Sequence, residues 1–95
     1  MADYERNTVH GIPQVMELAD EVLTTRAGLQ RGRHTRHSAT YTGGEGTVGL
    51  EAHRHGLMTT VTVRTNQLRT SKIDIVVRHL LNQLPYQPGD PEREY

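Results

Sequence analysis

Cysteine, phenylalanine and tryptophan are all missing from this chain of 95 residues, and its only aromatic side chains are four tyrosines. Without cysteine there is no disulfide framework and no thiol chemistry. The interior must then be built from Val, Leu, Ile, Met and Ala, although the hydrophobic fraction is only 34%. A small monomer of this composition is expected to be marginally stable, so a homodimer that buries an apolar face is predicted on stability grounds.

Long hydrophobic runs are also missing. No apolar stretch approaches the roughly 18 residues that a membrane-spanning helix requires, and nothing near Met1 resembles a signal peptide. We therefore expect a cytoplasmic protein that does not contact a membrane. A chain this short is expected to form one domain, because it rarely holds two independent cores.

The net charge is zero, but the charges are segregated along the chain. Residues 1–25 carry five acidic side chains and one arginine, residues 26–84 carry nine basic and three acidic side chains, and residues 85–95 carry three acidic side chains and one arginine. A basic middle between acidic ends suits either a polyanionic partner or internal charge compensation. Five of the six histidines also lie in the basic middle, so mild acidification is expected to make it more positive.

Hydrophobic periodicity predicts an α+β fold in the order helix, three antiparallel strands, helix (αβββα). The helices are predicted to begin near Ile12 and at Ser71, where Asp74 three residues later resembles a capping box. The strands are predicted at Ser38–Thr42, Thr47–His53 and Leu57–Arg64, with a Gly-rich hairpin between the first two. Leu57, Val61 and Val63 are expected on one face of the third strand.

The domain organisation follows from the same patterns. Residues 1–9 are expected to be a flexible N-terminal arm because they show no periodicity. Residues 10–84 are predicted to form the single domain. Residues 85–95 combine proline, glycine and alternating charge, and we predict a disordered acidic tail there.

The segment Gly46-Thr47-Val48-Gly49-Leu50-Glu51-Ala52, followed by a turn, Val61-Thr62-Val63, a polar loop and an amphipathic helix, resembles the YbaB/EbfC family of small bacterial nucleoid-associated proteins. The resemblance covers about residues 12–84 and depends mainly on the order of the elements. It implies a YbaB-like homodimer at the nucleoid that binds DNA with little sequence preference. Some actinobacterial relatives are encoded beside specialised secretion systems. The alternative function is therefore a non-enzymatic protein-interaction module, accessory to a secretion or regulatory complex, on the same fold.

The most basic stretch of the chain contains Arg31, Arg33 and Arg36 together with two histidines, His34 and His37. Guanidinium groups bind phosphate oxygens bidentately, and a basic loop follows a nucleic-acid backbone without reading bases. The other reading is a solvated loop whose charges balance the acidic first helix. Four further residues would extend a nucleic-acid-binding patch only if the fold brings them to the same side: Arg54, Arg64, Arg69 and Lys72.

The sequence gives little indication of metal binding, of a phosphate-binding loop or of catalysis. Glu51, His53 and His55 share one strand face, but metal sites usually need three or four converging ligands, so we predict no metal and no cofactor. The Gly43–Gly46 segment lacks the Gly-Lys-Ser/Thr ending of a phosphate-binding P-loop. Ser38 lies beside His37 without any nucleophile motif, so no catalytic activity is expected.

Overall fold

The computed structural model describes residues 2–67 and 71–85. In this part of the chain five strands form one antiparallel sheet, and two helices pack on one of its faces. In chain order the elements are β1 (Ala2–Thr8), α1 (Ile12–Thr25), β2 (Gln30–His34), β3 (Ser38–Gly43), β4 (Gly46–His55), β5 (Met58–Thr65) and α2 (Lys72–Asn82). The strand order across the sheet is β1-β5-β4-β3-β2. The predicted αβββα arrangement is therefore wrong, because it omits both edge strands.

Strand β1 occupies most of the segment that was predicted to be a flexible arm. It pairs with β5 along its whole length, from Ala2 opposite Thr65 to Thr8 opposite Thr59. Its inward positions include Tyr4 and Thr8, which are buried, but only Tyr4 is aromatic or apolar. A strand with a single buried aromatic side chain and otherwise polar neighbours on its inner face has no clear hydrophobic alternation, which explains why periodicity did not reveal it.

Strand β2 coincides with the stretch that was predicted to be a basic loop. All five of its residues are exposed, and none is hydrophobic. Its pairing with β3 shifts register between Arg31 and His34, as at a β-bulge. Charged side chains and bulges are common on edge strands because they discourage pairing with another chain. Such a strand resembles a polar loop in sequence.

The three predicted strands are confirmed as β3, β4 and β5, and the predicted hairpin joins the first two. Val48, Leu50 and Ala52 alternate along β4 and face the core. Strand β4 continues to His55, and the following turn is formed by Gly56, with φ 61°, and Leu57. Leu57 was expected to face inward with Val61 and Val63, but it lies in the turn and is 84% exposed.

The two helices cover the apolar face of the sheet. Helix α1 ends at Thr25, and Gly28, with φ 67°, reverses the chain so that Leu29 returns to the core. The Leu29 amide donates to the Leu23 carbonyl at 3.1 Å. In α2 the apolar residues recur at spacings of three and four, and they are buried: Ile73, Val76, Val77, Leu80 and Leu81, with Leu84 just beyond the helix. Neither described helix is long and apolar enough to cross a membrane.

Asp74 is fully buried, although it carries a carboxylate. The Tyr4 hydroxyl donates to it, with the phenolic oxygen 2.7 Å from Oδ1 and 2.8 Å from Oδ2. Arg78 Nε lies 3.0 Å from Oδ2 on the next turn of α2. The Asp74 amide donates to Ser71 Oγ at 3.1 Å, which confirms the predicted N-cap. This network joins β1 to α2.

The opposite face of the sheet carries no described helix and is polar. Its central positions include Thr40 on β3, Gly49 on β4 and Thr62 on β5, which border a shallow depression. The most exposed large hydrophobic side chains of the described residues are Leu57 and Ile75, which lie at opposite ends of the molecule. These two side chains form no apolar patch on the described surface, and the homodimer predicted on stability grounds stays a prediction.

We expect Tyr4→Phe to lower the free energy of unfolding by about 1–3 kcal/mol, because the buried Asp74 carboxylate loses a hydrogen-bond donor. Tyr41→Phe is the matched control. Its hydroxyl is also on a buried tyrosine, but it donates at 3.3 Å to Asp20, whose side chain is 40% exposed. The control should lose less than about 1 kcal/mol. Urea denaturation measures both variants, and a larger loss for Tyr41→Phe would contradict the role assigned to Asp74.

Candidate functional site

All six histidines of the chain lie at one end of the sheet. This end is formed by the turn from β1 into α1, the β2–β3 turn, the β4–β5 hairpin and the last turn of α2. The Ala52 amide donates to the His37 carbonyl at 2.8 Å, and the Val9 amide donates to the Pro85 carbonyl at 3.0 Å, so these segments are held together. We call residues 7–14, 33–38, 51–59 and 79–85 the histidine end; its histidines are His10, His34, His37, His53, His55 and His79.

The histidine end is positively charged. It contains Arg33, Arg36 and Arg54 but only one carboxylate, that of Glu51, among these segments. Glu51 Oε2 lies 3.4 Å from His53 Nε2 on the polar face of the sheet. The rest of the described chain has seven acidic and six basic side chains, so it is close to neutral. The fold therefore turns a chain of zero net charge into a molecule with one positive end.

A cleft of about 710 Å³ opens at this end. It lies between the β2–β3 turn, the end of β4 and the start of α1. Two arginines and a histidine line it: Arg36, Arg54 and His37. Its other lining residues are mostly apolar: Val9, Gly11, Ile12, Pro13 and Gln14. Its size is within the range of small-molecule sites, roughly 300–1,000 Å³.

Arg54 is held in place by its neighbours. Its Nε donates to the Gly56 carbonyl at 3.1 Å, and its Nη1 donates to Thr59 Oγ1 at 3.2 Å. These bonds use two of the five N–H donors of the guanidinium group. The side chain is thus oriented by the turn that follows it and retains donor capacity toward the cleft.

The start of α1 contributes a favourable environment for an anion. Its N-cap, Gly11, has no side chain to accept hydrogen bonds from the first turn, and no acidic residue lies in that turn. Gln14 Oε1 instead accepts the Gly11 amide at 2.8 Å. The N-terminus of a helix carries partial positive charge, which here adds to that of the nearby arginines.

The histidines do not form a metal site in the described residues. The His37 and His53 rings are 5.8 Å apart between centroids, and Glu51 contacts His53. Within residues 2–67 and 71–85, no three histidine or acidic side chains converge as a metal site requires. The three residues considered from sequence, Glu51, His53 and His55, therefore do not meet around one point.

The structure separates the basic residues that sequence suggested for nucleic-acid binding. Arg33, Arg36 and Arg54 lie at the histidine end. Arg33 is an exposed residue of the edge strand β2. Arg31 lies opposite Tyr41 in the sheet, on the side that faces the helices, and its Nη1 is 3.6 Å from Asp20 Oδ1.

The remaining candidates do not line the cleft or lie outside the described residues. Arg64 is on the polar face opposite Asp3 of β1, and it lines the shallow depression together with Ser38 and Glu51. Lys72 is the first residue of α2 and borders a small depression beside Glu45 of the β3–β4 turn. Arg69 lies outside the described residues.

Sequence reasoning missed the apolar part of the cleft. Val9, Ile12 and Pro13 were interpreted only as an arm and a helix start. Their position beside Arg36 depends on β1 and β2 lying at opposite edges of the sheet, with α1 crossing between them. Pro13 was the only signal available, because proline marks the first turn of a helix and so locates its N-terminus.

Comparisons with protein-family models, with curated proteins and with solved structures found no match for this chain. The resemblance to the YbaB/EbfC family therefore stays a prediction, and the site must be interpreted from its own geometry.

The pKa of Tyr41 shows the effect of Arg31, which lies outside the histidine end. Burial raises the pKa of Tyr41 to about 12, and the charge of Asp20 and its hydrogen bond to the phenol act in the same direction. The positive charge of Arg31 lowers this pKa in part. Arg31 thus belongs to a local network with Asp20 and Tyr41.

We expect Tyr41 to make the protein less stable at high pH. Up to about pH 10 the phenol is protonated in both folded and unfolded chains, so its contribution is fully present. Between pH 10 and about 12 the unfolded chain releases this proton first, and the free energy of unfolding falls by roughly 2 kcal/mol at most. Denaturation of wild type and Tyr41→Phe across this range measures the difference. Parallel pH profiles for the two proteins would contradict the assignment.

Proposed function

We propose that this protein binds nucleic-acid phosphates with little base preference through the histidine end, and that it does so without catalysis. The observation that carries the proposal is the placement of Arg33, Arg36, Arg54 and every histidine of the chain at one end, where Glu51 is the only carboxylate of the segments that form it. Phosphate contacts supply affinity and orientation but no sequence information.

The number of arginines sets the expected strength. Three phosphate contacts imply an affinity that falls about 40-fold between 50 and 200 mM salt. One such end therefore gives weak binding under physiological conditions. Two copies in a homodimer, as the YbaB/EbfC resemblance implies, would present two positive ends and increase avidity without new contacts. A nucleoid location is part of the same proposal.

A second candidate function is protein interaction, and the polar face of the sheet, which no described helix covers, favours it. This face carries threonines around Gly49, where the absence of a side chain leaves the depression described above. Zero net charge also suits a protein partner. A partner recovered in a pull-down that survives nuclease treatment would support this function, and loss of every partner after nuclease would oppose it.

The nucleic-acid proposal predicts that the location of the arginines affects the affinity for DNA more than the total positive charge does. The triple variant Arg33→Ala, Arg36→Ala, Arg54→Ala should weaken binding of a labelled random duplex by more than about tenfold at low salt, with a flatter salt dependence. The matched control is Arg31→Ala, Arg64→Ala, Lys72→Ala, which removes the same charge from other places. It should change the affinity by less than about threefold. Fluorescence anisotropy at about 50 and 200 mM salt measures both variants.

Two outcomes would contradict the proposal. Equal losses in the two triple variants would show that total charge, and not the histidine end, governs binding. No binding by the wild type at low salt would remove nucleic acid as the partner, and the polar face would then be the surface to test.

A further inference from the structure

The cleft at the histidine end differs in its lining from a surface that only follows a nucleic-acid backbone. The β2–β3 turn, the end of β4 and the start of α1 line it, and they bring arginines and apolar side chains together. A backbone phosphate needs only the arginines, whereas a ligand that carries both a phosphate and an apolar group contacts both parts of the lining.

The polar part of the cleft suits a terminal phosphate. A phosphate monoester has three unbridged oxygens and almost two negative charges at neutral pH, so it needs more donors than a backbone diester. Arg36 and Arg54 both line the cleft, and the guanidinium of Arg54 is already oriented by Gly56 and Thr59. Two guanidinium groups provide bidentate, charge-assisted hydrogen bonds from two directions.

The apolar part of the cleft suits the group attached to that phosphate. Val9, Ile12 and Pro13 form a wall beside the arginines, and Val9 and Ile12 are half-buried. An inorganic anion alone would leave this wall in water. A nucleoside would cover it with a planar, largely apolar base while its phosphate faces the arginines.

We infer that the cleft between Arg36, Arg54 and the start of α1 binds a phosphate monoester attached to a nucleoside. The ligand is either a free nucleotide or the phosphorylated end of a nucleic-acid strand, since both present the same chemistry. If the ligand is a strand end, the inference rests on the proposed function, because the strand is the nucleic acid that the histidine end attracts. If the ligand is a free nucleotide, the inference does not need that function.

The test compares two short single strands of identical sequence, one with a 5′-phosphate and one with a 5′-hydroxyl, each labelled at the 3′ end. We expect the phosphorylated strand to bind about tenfold more tightly in fluorescence anisotropy, because only it places a monoester in the cleft. Adenosine monophosphate should displace it, whereas adenosine should not. Inorganic phosphate should displace it less well than adenosine monophosphate, because it does not contact the apolar wall.

Variants locate the effect. Arg36→Ala should abolish the preference for the phosphorylated strand, and it is expected to fold because Arg36 is exposed. Arg54→Gln provides a second variant at the other side of the cleft. Arg64→Ala is the matched control, since Arg64 is an exposed arginine on the polar face that does not line the cleft, and it should keep the preference.

Each outcome separates this inference from the proposed function. Equal, salt-sensitive binding of both strands without displacement by adenosine monophosphate would overturn the inference and leave the proposed function in place. Binding of a fluorescently labelled adenosine monophosphate without binding of either strand would support the inference with a free nucleotide as the ligand and oppose the proposed function. If neither strand and no nucleotide bound, the inference and the proposed function would both be overturned.

Discussion

The buried carboxylate of Asp74 is the constraint on which the arrangement of the sheet and helices depends. It lies on the inner side of α2 and receives the Tyr4 hydroxyl from β1, while Arg78 stays within its reach on the helix surface. A buried charge is costly unless nearby donors surround it, so these groups must meet for the fold to be stable. Their meeting holds the edge strand and the last helix in one relative position. That position in turn places the Thr8–Gly11 connection, and with it the start of α1, beside the β2–β3 turn.

The same arrangement separates the charges. Acidic and basic side chains mix over most of the described surface, as in the Arg31–Asp20 ion pair, which balances charge locally. At the histidine end, Glu51 is the only carboxylate among the residues that form it. A neutral protein with such an end is attracted to an anion in one orientation only, and salt screens that attraction beyond about 8–10 Å. The fold therefore contributes to binding by placing positive charge at one end of the molecule, and not by raising the overall charge.

Sequence patterns predicted the interior of the fold better than its borders. Val48, Leu50 and Ala52 alternate, and the apolar residues of α2 recur every three to four positions, so β4 and α2 were evident. Strands β1 and β2 were missed because an edge strand needs few inward apolar side chains, and β2 has none. For the site, the arginines were evident from composition. Their separation was not, because the side on which each arginine lies depends on strand register, which pairs Arg31 with Tyr41 and Arg64 with Asp3.

The pairing of β1 with β5 also has a consequence for how the chain folds during synthesis. Tyr4 and Asp74 are separated by 70 positions, and no contact between them is available until α2 has been made. Non-local pairings of this kind slow folding, because a long loop must close before they form. Strand β1 itself has no neighbour until β5 has been made, and unpaired strand edges of this kind are prone to aggregation. The ribosome must therefore release almost the whole domain before its first strand has a place in the sheet.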